Sequence, residues 1–189
     1  MKIDIILAGV GGQGILSIST IIGEAAVKNG LYLKQAEVHG MSQRGGEVQS
    51  HLRISDKPIH SDLIQKGKAH LIISVEPLES LRYIDYLSPE GWLITNTNPF
   101  INIPNYPDIE KVLNEINALP NHVMLNADKI AKELGAPLAM NMVMLGAASG
   151  HIDIEYSALE DAIRTIFGSK GENVVKMNLE ALKAGRGAS

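Results

Sequence analysis

The chain has 189 residues, of which 45% are hydrophobic and 20% charged, enough to bury an ordinary core and unlike a disordered protein. Its net charge of −4 at pH 7 gives no support to binding of nucleic acid or of an anionic membrane. It contains no cysteine, which excludes disulfides, thiolate zinc sites and any iron–sulfur cluster held by this chain alone. No linker divides the sequence, so we expect one domain over residues 1–189 and, without cysteines, a cytoplasmic location.

The first part of the chain predicts a strand, a helix and a second strand in succession. Residues 3–8 are β-branched and end in glycines, which is typical of a strand buried on both faces. Residues 13–28 are apolar around nearly the whole helical circumference and predict a buried helix that stops at Asn29 and Gly30. A second short strand is predicted at residues 31–36.

The pattern changes after the second predicted strand. Residues 37–46 are polar and rich in glycine, which predicts a loop. Residues 47–54 alternate between apolar and polar, which predicts a strand, antiparallel to a neighbour because only a loop precedes it. After a turn, we expect Ile59 and His60 to return as a partner strand.

The rest of the chain continues the alternation of strands and helices. Further strands are predicted at residues 71–75, 92–96 and 122–125, and helices at residues 78–86, 109–116, 127–134 and 141–148. A turn is predicted at residues 88–91 and an irregular segment at residues 98–107. Two C-terminal helices are each expected to open with a capping box, at residues 157–160 and 169–172. This order predicts a largely parallel sheet covered by helices.

A glycine-rich turn follows the first strand and has the form G-x-G-x-x-G. Its candidate binding residues are Gly9, Gly11, Gly12, Gln13 and Gly14. Such a turn brings the backbone and the amides of a helix N-terminus close to an anion, which favours phosphate or pyrophosphate binding. The alternative is a tight turn that needs small residues only for packing.

Two checks weigh against a standard nucleotide site at this turn. A dinucleotide site needs an acid at the end of the second strand to bind a ribose, and Glu37 is the only candidate there. A P-loop needs Lys followed by Ser or Thr where this chain has Ile15 and Leu16. A P-loop is therefore excluded.

The polar loop after the second strand is the most informative segment. Its candidate contact residues are Glu37, His39, Gly40, Ser42, Gln43, Arg44, Gly45 and Gly46. The carboxyl edge of a parallel sheet is where ligands gather, so this loop is expected beside the glycine turn. Arg44 could bind a carboxylate or phosphate through two hydrogen bonds, or simply pair with Glu37 in a solvated loop.

Two other kinds of chemistry find little support in the same loop. His39 and His51 have no obvious third ligand, so no metal site is predicted. Ser42 near His39 has no nucleophile elbow and no orienting acid, so no catalytic dyad is predicted.

The two motifs together, GVGGQG and AEVHGMSQRGGEVQSHLRI, resemble one family. They are similar to the gamma subunit or gamma domain of the 2-oxoacid:ferredoxin oxidoreductases, and within that family to the small (beta) subunit of indolepyruvate ferredoxin oxidoreductase. The likeness continues through LIISVEPLESLRYIDYL, AMNMVMLGA and GENVVKMNLEALKAG. The resemblance implies a doubly wound, Rossmann-like sheet with a small antiparallel insertion after the second strand and C-terminal helices.

The resemblance also implies a division of labour between subunits. In the assembled enzyme a 2-oxoacid is decarboxylated on thiamine diphosphate, electrons pass through iron–sulfur clusters to ferredoxin, and an acyl-coenzyme A is formed. This chain has no G-D-G thiamine motif and no cysteine, so we expect a large partner subunit to carry thiamine diphosphate and the clusters. No catalytic residue is expected on this chain alone, which would be inactive by itself and would meet ferredoxin only indirectly.

Two alternatives remain open from the sequence. The first is a free-standing Rossmann-type oxidoreductase that binds NAD or FAD. The second is a binding or scaffolding module without enzymatic activity. The apolar C-terminal helices could serve a homodimer, the interface with the large subunit, or both.

Overall fold

The computed structural model describes residues 1–40, 45–101 and 103–189, with only the backbone of His39. One sheet contains the strands β1 (Lys2–Val10), β2 (Tyr32–His39), β3 (Glu47–Ser55), β4 (Ala69–Ser74), β5 (Leu87–Asn96) and β6 (His122–Leu125). The helices of the described chain are α1 (Ile15–Lys28), α2 (Pro77–Arg82), α3 (Ile109–Asn117), α4 (Ala127–Glu133), α5 (Met140–Ala148), α6 (Tyr156–Phe167) and α7 (Glu172–Gly187). In these described ranges, every helix is too short or too polar to cross a membrane.

The sheet has the strand order β2-β3-β1-β4-β5-β6. The strands β1, β4, β5 and β6 pair in parallel, whereas β3 is antiparallel to both β1 and β2. The expected α/β fold, with a mostly parallel sheet and an antiparallel strand after the second one, is confirmed. The inserted β3 separates β1 from β2 and leaves β2 at the edge of the sheet.

Helices cover both faces of the sheet, which explains why β1 is apolar without alternation. Ile5 and Leu7 of β1 face α1 and α5, together with α4, α6 and α7. Ile6 and Ala8 face the opposite layer, where α2 and α3 lie. The central strand therefore buries side chains on both sides, as its sequence predicts.

The C-terminal helix α7 packs on α5 with very little space between the two backbones. All residues of α5 are buried. A Cβ atom added to Gly146 of α5 would lie 2.0 Å from the carbonyl oxygen of Leu182, and one added to Gly185 would lie 1.9 Å from that of Val143. Because α7 and the sheet cover α5 completely, α5 is not an interface helix.

At the amino edge of the sheet, an ion pair replaces the strand expected at Ile59 and His60. These two residues lie in an irregular segment. Arg53 of β3 pairs with Asp4 of β1 and also donates from Nη1 to the carbonyl oxygens of Ser61, at 2.8 Å, and Leu63, at 3.1 Å. The segment is thus held by hydrogen bonds from the Arg53 guanidinium to its carbonyl oxygens. The sequence had predicted backbone pairing between strands instead. The expectation of a returning strand is wrong.

The predicted turn at residues 88–91 and the two predicted capping boxes are also not found in the structure. The residues predicted as a turn at 88–91 lie inside β5, where the pairing steps from Ala69 opposite Leu87 to Leu71 opposite Trp92. The Pro-Glu-Gly signal therefore marks a bulge in the strand. Both capping boxes are also wrong, because α6 already begins at Tyr156 and the N-cap residue of α7 is Gly171.

Candidate functional site at the carboxyl edge

The glycine turn joins β1 to α1, and two of its glycines are packed too closely for a side chain. A Cβ atom on Gly9 would lie 2.3 Å from Cγ2 of Val75. Gly14 has a φ angle of +79°, and its Cβ would lie 2.5 Å from Nδ2 of Asn141. Gly12 has open space around it but a φ angle of +101°, which favours glycine through the backbone alone. The turn therefore needs glycine for packing at two positions and for conformation at two.

Gln13, predicted as a contact residue, points its side chain into the turn. Its Oε1 accepts a hydrogen bond from the backbone N–H of Val10 at 2.8 Å, and its Nε2 donates to the carbonyl of Val75 at 3.5 Å. Asn141 of α5 donates to the carbonyl of Gly14 at 3.1 Å from the other side. Both amides hold the shape of the turn.

Replacing Gln13 with alanine is expected to lower the free energy of unfolding by about 1–2 kcal/mol, because the Val10 N–H loses its partner inside the turn. Urea denaturation of the chain followed by circular dichroism measures the change. Gln65→Ala, at an exposed position, serves as the control and should change stability by less than about 0.5 kcal/mol. Equal effects of the two substitutions would show that the Gln13 side chain does not brace the turn.

The glycines that end the polar loop lie against the glycine turn. Gly11 N–H donates to the carbonyl of Gly46 at 2.8 Å, and Gly45 N–H donates to that of Gly11 at 3.4 Å. At the other end of the loop, Gly40 N–H donates to the carbonyl of Glu47 at 3.0 Å. The structure thus brings the two glycine-rich segments together at one edge of the sheet, as the sequence predicts.

Of the remaining candidate residues of this loop, the structure describes Glu37 in full but not Ser42, Gln43 or Arg44. The second strand extends to His39, so Glu37 lies within β2 and the predicted loop boundary at residue 37 is wrong. Oε2 of Glu37 accepts a hydrogen bond from Nε2 of Gln35 at 3.3 Å. Ser42, Gln43 and Arg44 and the side chain of His39 lie outside the described residues.

The inserted strand β3 separates Glu37 on β2 from the glycine turn after β1. Val48 of β3 is opposite Gly9 in the register and lines, with Gly12 and Leu16, a cavity of about 310 Å³. With β3 in between, β2 lies two strand spacings from β1, about 10 Å. Glu37 therefore cannot bind the ribose of a nucleotide whose pyrophosphate sits on α1 in the usual Rossmann manner.

Asn96, at the end of β5, connects the glycine turn with the neighbouring strand ends. Its Nδ2 donates to the carbonyl of Val75 at 3.2 Å, the same carbonyl that Gln13 binds, and to Oδ2 of Asp128 at 2.7 Å. Its Oδ1 accepts from the backbone N–H of Ala127 at 3.0 Å. The residue is fully buried. Its hydrogen bonds connect the end of β5 with the residue after β4 and with the start of α4.

Glu76, just beyond β4, is a buried carboxylate that the sequence did not single out. It caps α2 by accepting from the N–H of Glu79 at 2.8 Å. Its Oε1 also accepts from the N–H of Phe100, at 3.2 Å, and from the hydroxyl of Tyr106. Burial and the hydrogen bond to Glu76 raise the pKa of Tyr106, so the phenol remains a donor. Glu76 thus binds the segment after β5 at two points, Phe100 and Tyr106.

Arg82 of α2 links the start of β3 to the same region. Its Nε and Nη2 bind the carboxylate of Glu79 at 3.0 and 3.3 Å, and its Nη1 lies 3.3 Å from Oε2 of Glu47. Burial raises the pKa of Glu79, which Arg82 opposes. Burial, with the nearby Glu47 and Glu79, raises the pKa of Tyr83 to about 12. Over the described ranges, no three His, Asp or Glu side chains converge as a metal site requires.

The fold and the turn define a Rossmann-like domain in which an extra antiparallel strand separates β1 from β2. The chain belongs to the pyruvate ferredoxin/flavodoxin oxidoreductase family, which it matches over residues 4–188. The family inferred from the two glycine-rich motifs is thus confirmed.

The curated relatives match nearly the whole chain. The indolepyruvate oxidoreductase subunit IorB of Archaeoglobus fulgidus is 38% identical over 98% of this chain and 94% of that protein. IorB of Methanothermobacter thermautotrophicus is 37% identical over 100% of this chain and 98% of that protein. These relatives are subunits of 2-oxoacid oxidoreductases by name.

Solved structures show the same fold. The pyruvate oxidoreductase subunit PORC of Thermotoga maritima has a TM-score of 0.74 at 23% identity, over 99% of this chain and 96% of that chain. The 2-oxoglutarate:ferredoxin oxidoreductase of Magnetococcus marinus has a TM-score of 0.78 at 24% identity over 99% of this chain. This chain spans 31% of the length of that Magnetococcus chain.

Proposed function

We propose that this chain is the small subunit of a 2-oxoacid:ferredoxin oxidoreductase that acts on indolepyruvate or a related arylpyruvate. The observation that carries the proposal is the match to IorB subunits over nearly the full length of both proteins. The whole of residues 1–189 then acts as one gamma-type domain in a cytoplasmic enzyme. The relatives named for pyruvate and 2-oxoglutarate are less similar, at 30–32% identity.

The redox centres of this enzyme belong to a large partner subunit. Iron–sulfur clusters need cysteine thiolates, and this chain has no cysteine to offer. Thiamine diphosphate on the partner supplies the decarboxylation chemistry, and ferredoxin receives the electrons there. What remains for this chain is to bind the partner, to exclude water and to orient polar groups at the shared active site. A chain of this kind would be inactive when isolated.

The carboxyl edge is the part of the chain that we assign to this role. The backbone contacts between Gly11 and Gly45–Gly46 bring the glycine turn and the polar loop to one place. Within the loop, we assign Arg44 and Gln43 to the carboxylate of the substrate or the phosphates of coenzyme A. Guanidinium groups bind such anions through two parallel hydrogen bonds.

Replacing Arg44 with alanine is expected to lower kcat/KM of the assembled enzyme for the 2-oxoacid or for coenzyme A by roughly 30-fold, the effect of losing a charge-assisted pair worth about 2 kcal/mol. Steady-state kinetics with each substrate varied in turn would show which one Arg44 binds. Arg164→Ala, on the exposed side of α6, is the matched control. Unchanged assembly and unchanged constants in Arg44→Ala would remove this residue from the proposed site.

A free-standing nucleotide enzyme remains the second candidate because the turn has the G-x-G-x-x-G form. The position of β3 between β1 and β2 argues against it. We therefore expect the purified chain to copurify with neither NAD nor FAD and to bind neither tighter than about 1 mM by titration calorimetry, a free energy near −4 kcal/mol. Micromolar binding would favour the second candidate.

A further inference from the structure

The segment that connects β3 to β4, residues 56–68, is held on the sheet by two side chains of β3. Arg53 donates to two carbonyl oxygens of this connecting segment. His51 lies two residues earlier on the same face of the strand, and its Nδ1 accepts a hydrogen bond from the backbone N–H of Ile64 at 2.9 Å. A guanidinium stays charged at any ordinary pH, whereas an imidazole changes its charge near neutral pH. One of the two contacts can therefore respond to acid.

The contacts of His51 require the neutral ring with its hydrogen on Nε2. A backbone N–H can only donate, so Nδ1, which faces the N–H of Ile64, carries a lone pair. Nε2 of the ring lies 2.7 Å from Nε2 of Gln49. Since two donors cannot share a hydrogen bond, we assign the Gln49 amide with its oxygen toward the ring. Both ring nitrogens then have a partner, and each partner suits the neutral ring.

The contact between His51 and Ile64 is closed to water. His51 is 5% exposed and Ile64 is 3% exposed. Ile64 packs in the apolar layer that covers this face of the sheet, together with Ile6 of β1. The ring of Tyr86 stands edge to face against the imidazole, with 5.3 Å between the ring centroids. A polar group that lost its partner here could not bind water in its place, so the loss would be costly.

The surroundings of His51 disfavour the charged ring. Burial lowers the pKa of the imidazole below the ordinary 6.5, the positive charge of Arg53 lowers it further, and Asp62 of the connecting segment opposes both. Opposite His51 in the sheet, β1 and β2 place the uncharged residues Ile6 and Ala36. The closed segment therefore holds the ring neutral more firmly than water does.

Protonation of His51 would remove the acceptor that holds Ile64. The new hydrogen on Nδ1 would face the backbone N–H of Ile64, two donors at a distance set for a hydrogen bond. The buried amide would then be left without an acceptor. Moving the connecting segment away from β3 relieves this conflict and opens both groups to water. Acid thus favours an open form of the segment.

We propose that His51 is an acid-sensitive latch: the neutral imidazole holds the connecting segment closed over β3, and the protonated imidazole lets Ile64 leave the sheet. The inference goes beyond the proposed function and does not depend on it, because every group of the latch belongs to this chain. The glycine turn at the carboxyl edge shares no residue with the latch.

The first measurement follows the His51 ring in the unaltered full chain by ¹H–¹⁵N NMR, from about pH 7 to about pH 5. The shifts of the two ring nitrogens show which of them carries a hydrogen. We expect a neutral ring with its hydrogen on Nε2 at the upper end of this range, and protonation only below the ordinary pKa of 6.5. A ring that carries its hydrogen on Nδ1, or that is already charged at the upper end, would overturn the proposal.

The second measurement is hydrogen exchange at the Ile64 amide, which reports opening of the segment. After correction for the intrinsic pH dependence of exchange, the opening constant should rise roughly 10-fold over the same range, because the released ring binds a proton more readily than the closed ring. His51→Asn should abolish this rise, since Oδ1 of asparagine can accept the same hydrogen bond and does not titrate. His60→Asn, at an exposed position of the same segment, is the matched control and should retain it.

Three results would contradict the latch. They are an opening constant that changes by less than about 2-fold in the unaltered chain, an equal rise in His51→Asn, and exchange at Ile64 no faster than at Leu7 in the centre of the sheet, which would mean global unfolding. If His51→Asn does not fold, the ring titration and the exchange at Ile64 in the unaltered chain decide the question, because neither needs a variant.

Discussion

Replacing Arg53 with methionine is expected to lower the free energy of unfolding by about 3 kcal/mol, the lower end of the cost of removing one partner from a buried ion pair, because Lys2 still pairs with Asp4. Asp4 is 1% exposed and is bound by Nε of Arg53 at 2.7 Å and by Nη2 at 3.2 Å. Methionine keeps the aliphatic part of the side chain, so the loss is mainly electrostatic. Lys2, whose ammonium is 3.0 Å from Asp4, is largely exposed and can replace the guanidinium only in part.

The same pair predicts how stability changes with pH. Burial alone would raise the pKa of Asp4, but the hydrogen bonds and charges of Arg53 and Lys2 outweigh it and hold the pKa below the ordinary 3.8. A depressed pKa in the folded state contributes stability above pH 3.8, and this contribution is lost as the pH falls through the folded value. Arg53→Met should therefore show a smaller loss of stability on acidification below about pH 4 than the unaltered chain.

Urea denaturation at pH 7 and at pH 3 tests both statements. Arg164→Met, at an exposed position of α6, is the control and should change stability by less than about 0.5 kcal/mol. The double variant Asp4→Asn with Arg53→Met should recover part of the loss, because no unpaired buried charge remains. A loss below about 1 kcal/mol in Arg53→Met at pH 7 would mean that the pair is solvated in the folded chain.

Replacing Gly185 with alanine is expected to cost about 3 kcal/mol of unfolding free energy, near the upper end for overpacking. The new Cβ would lie 1.9 Å from the carbonyl oxygen of Val143 and 2.7 Å from its carbonyl carbon. Backbone atoms cannot rotate away as a side chain would, so α7 must move off α5. The higher helix propensity of alanine, about 1 kcal/mol, offsets only part of this cost.

Gly187→Ala provides the matched control in the same helix. A Cβ at Gly187 has nothing within 4 Å, so this substitution should be neutral or slightly stabilising. Thermal and urea unfolding of the two variants would give the difference. Equal stability of Gly185→Ala and the unaltered chain would show that α5 and α7 are farther apart than their packing here implies.

Much of the fold could be predicted from local patterns. The β-branched run of β1 and the apolar circumference of α1 were sufficient to predict these elements. A segment that is buried on all sides is apolar at nearly every position. The alternation of β3 predicted a strand antiparallel to a neighbour. Its position between β1 and β2 could not be predicted, since that depends on pairing between segments far apart in the chain.

Two errors arose from local signals in the sequence. Pro89 and Gly91 carry turn signals, yet they lie in a bulge that pairing with β4 keeps within β5. Ser157 has the spacing of a capping residue, yet α6 begins one residue earlier, at Tyr156. At β5, pairing with β4 outweighed the local preference for a turn.

The candidate site was predicted in part. The two glycine-rich segments could be recognised from their composition, and the structure joins them at Gly11 and Gly46. Glu76 was missed because its partners Phe100 and Tyr106 are 24 and 30 residues away. The strand-ending Glu-Pro pair was the only local signal. Function came from the resemblance of the whole double motif, since the turn alone fits several functions.

The most direct test of the central claim is an anaerobic assay of indolepyruvate-dependent ferredoxin reduction in the presence of coenzyme A. It compares this chain alone, the large subunit alone and the two coexpressed. We predict that the two chains copurify and that turnover appears only when both are present. Full turnover by the large subunit alone, or failure of the two chains to associate while this chain retains NAD or FAD, would contradict the assignment.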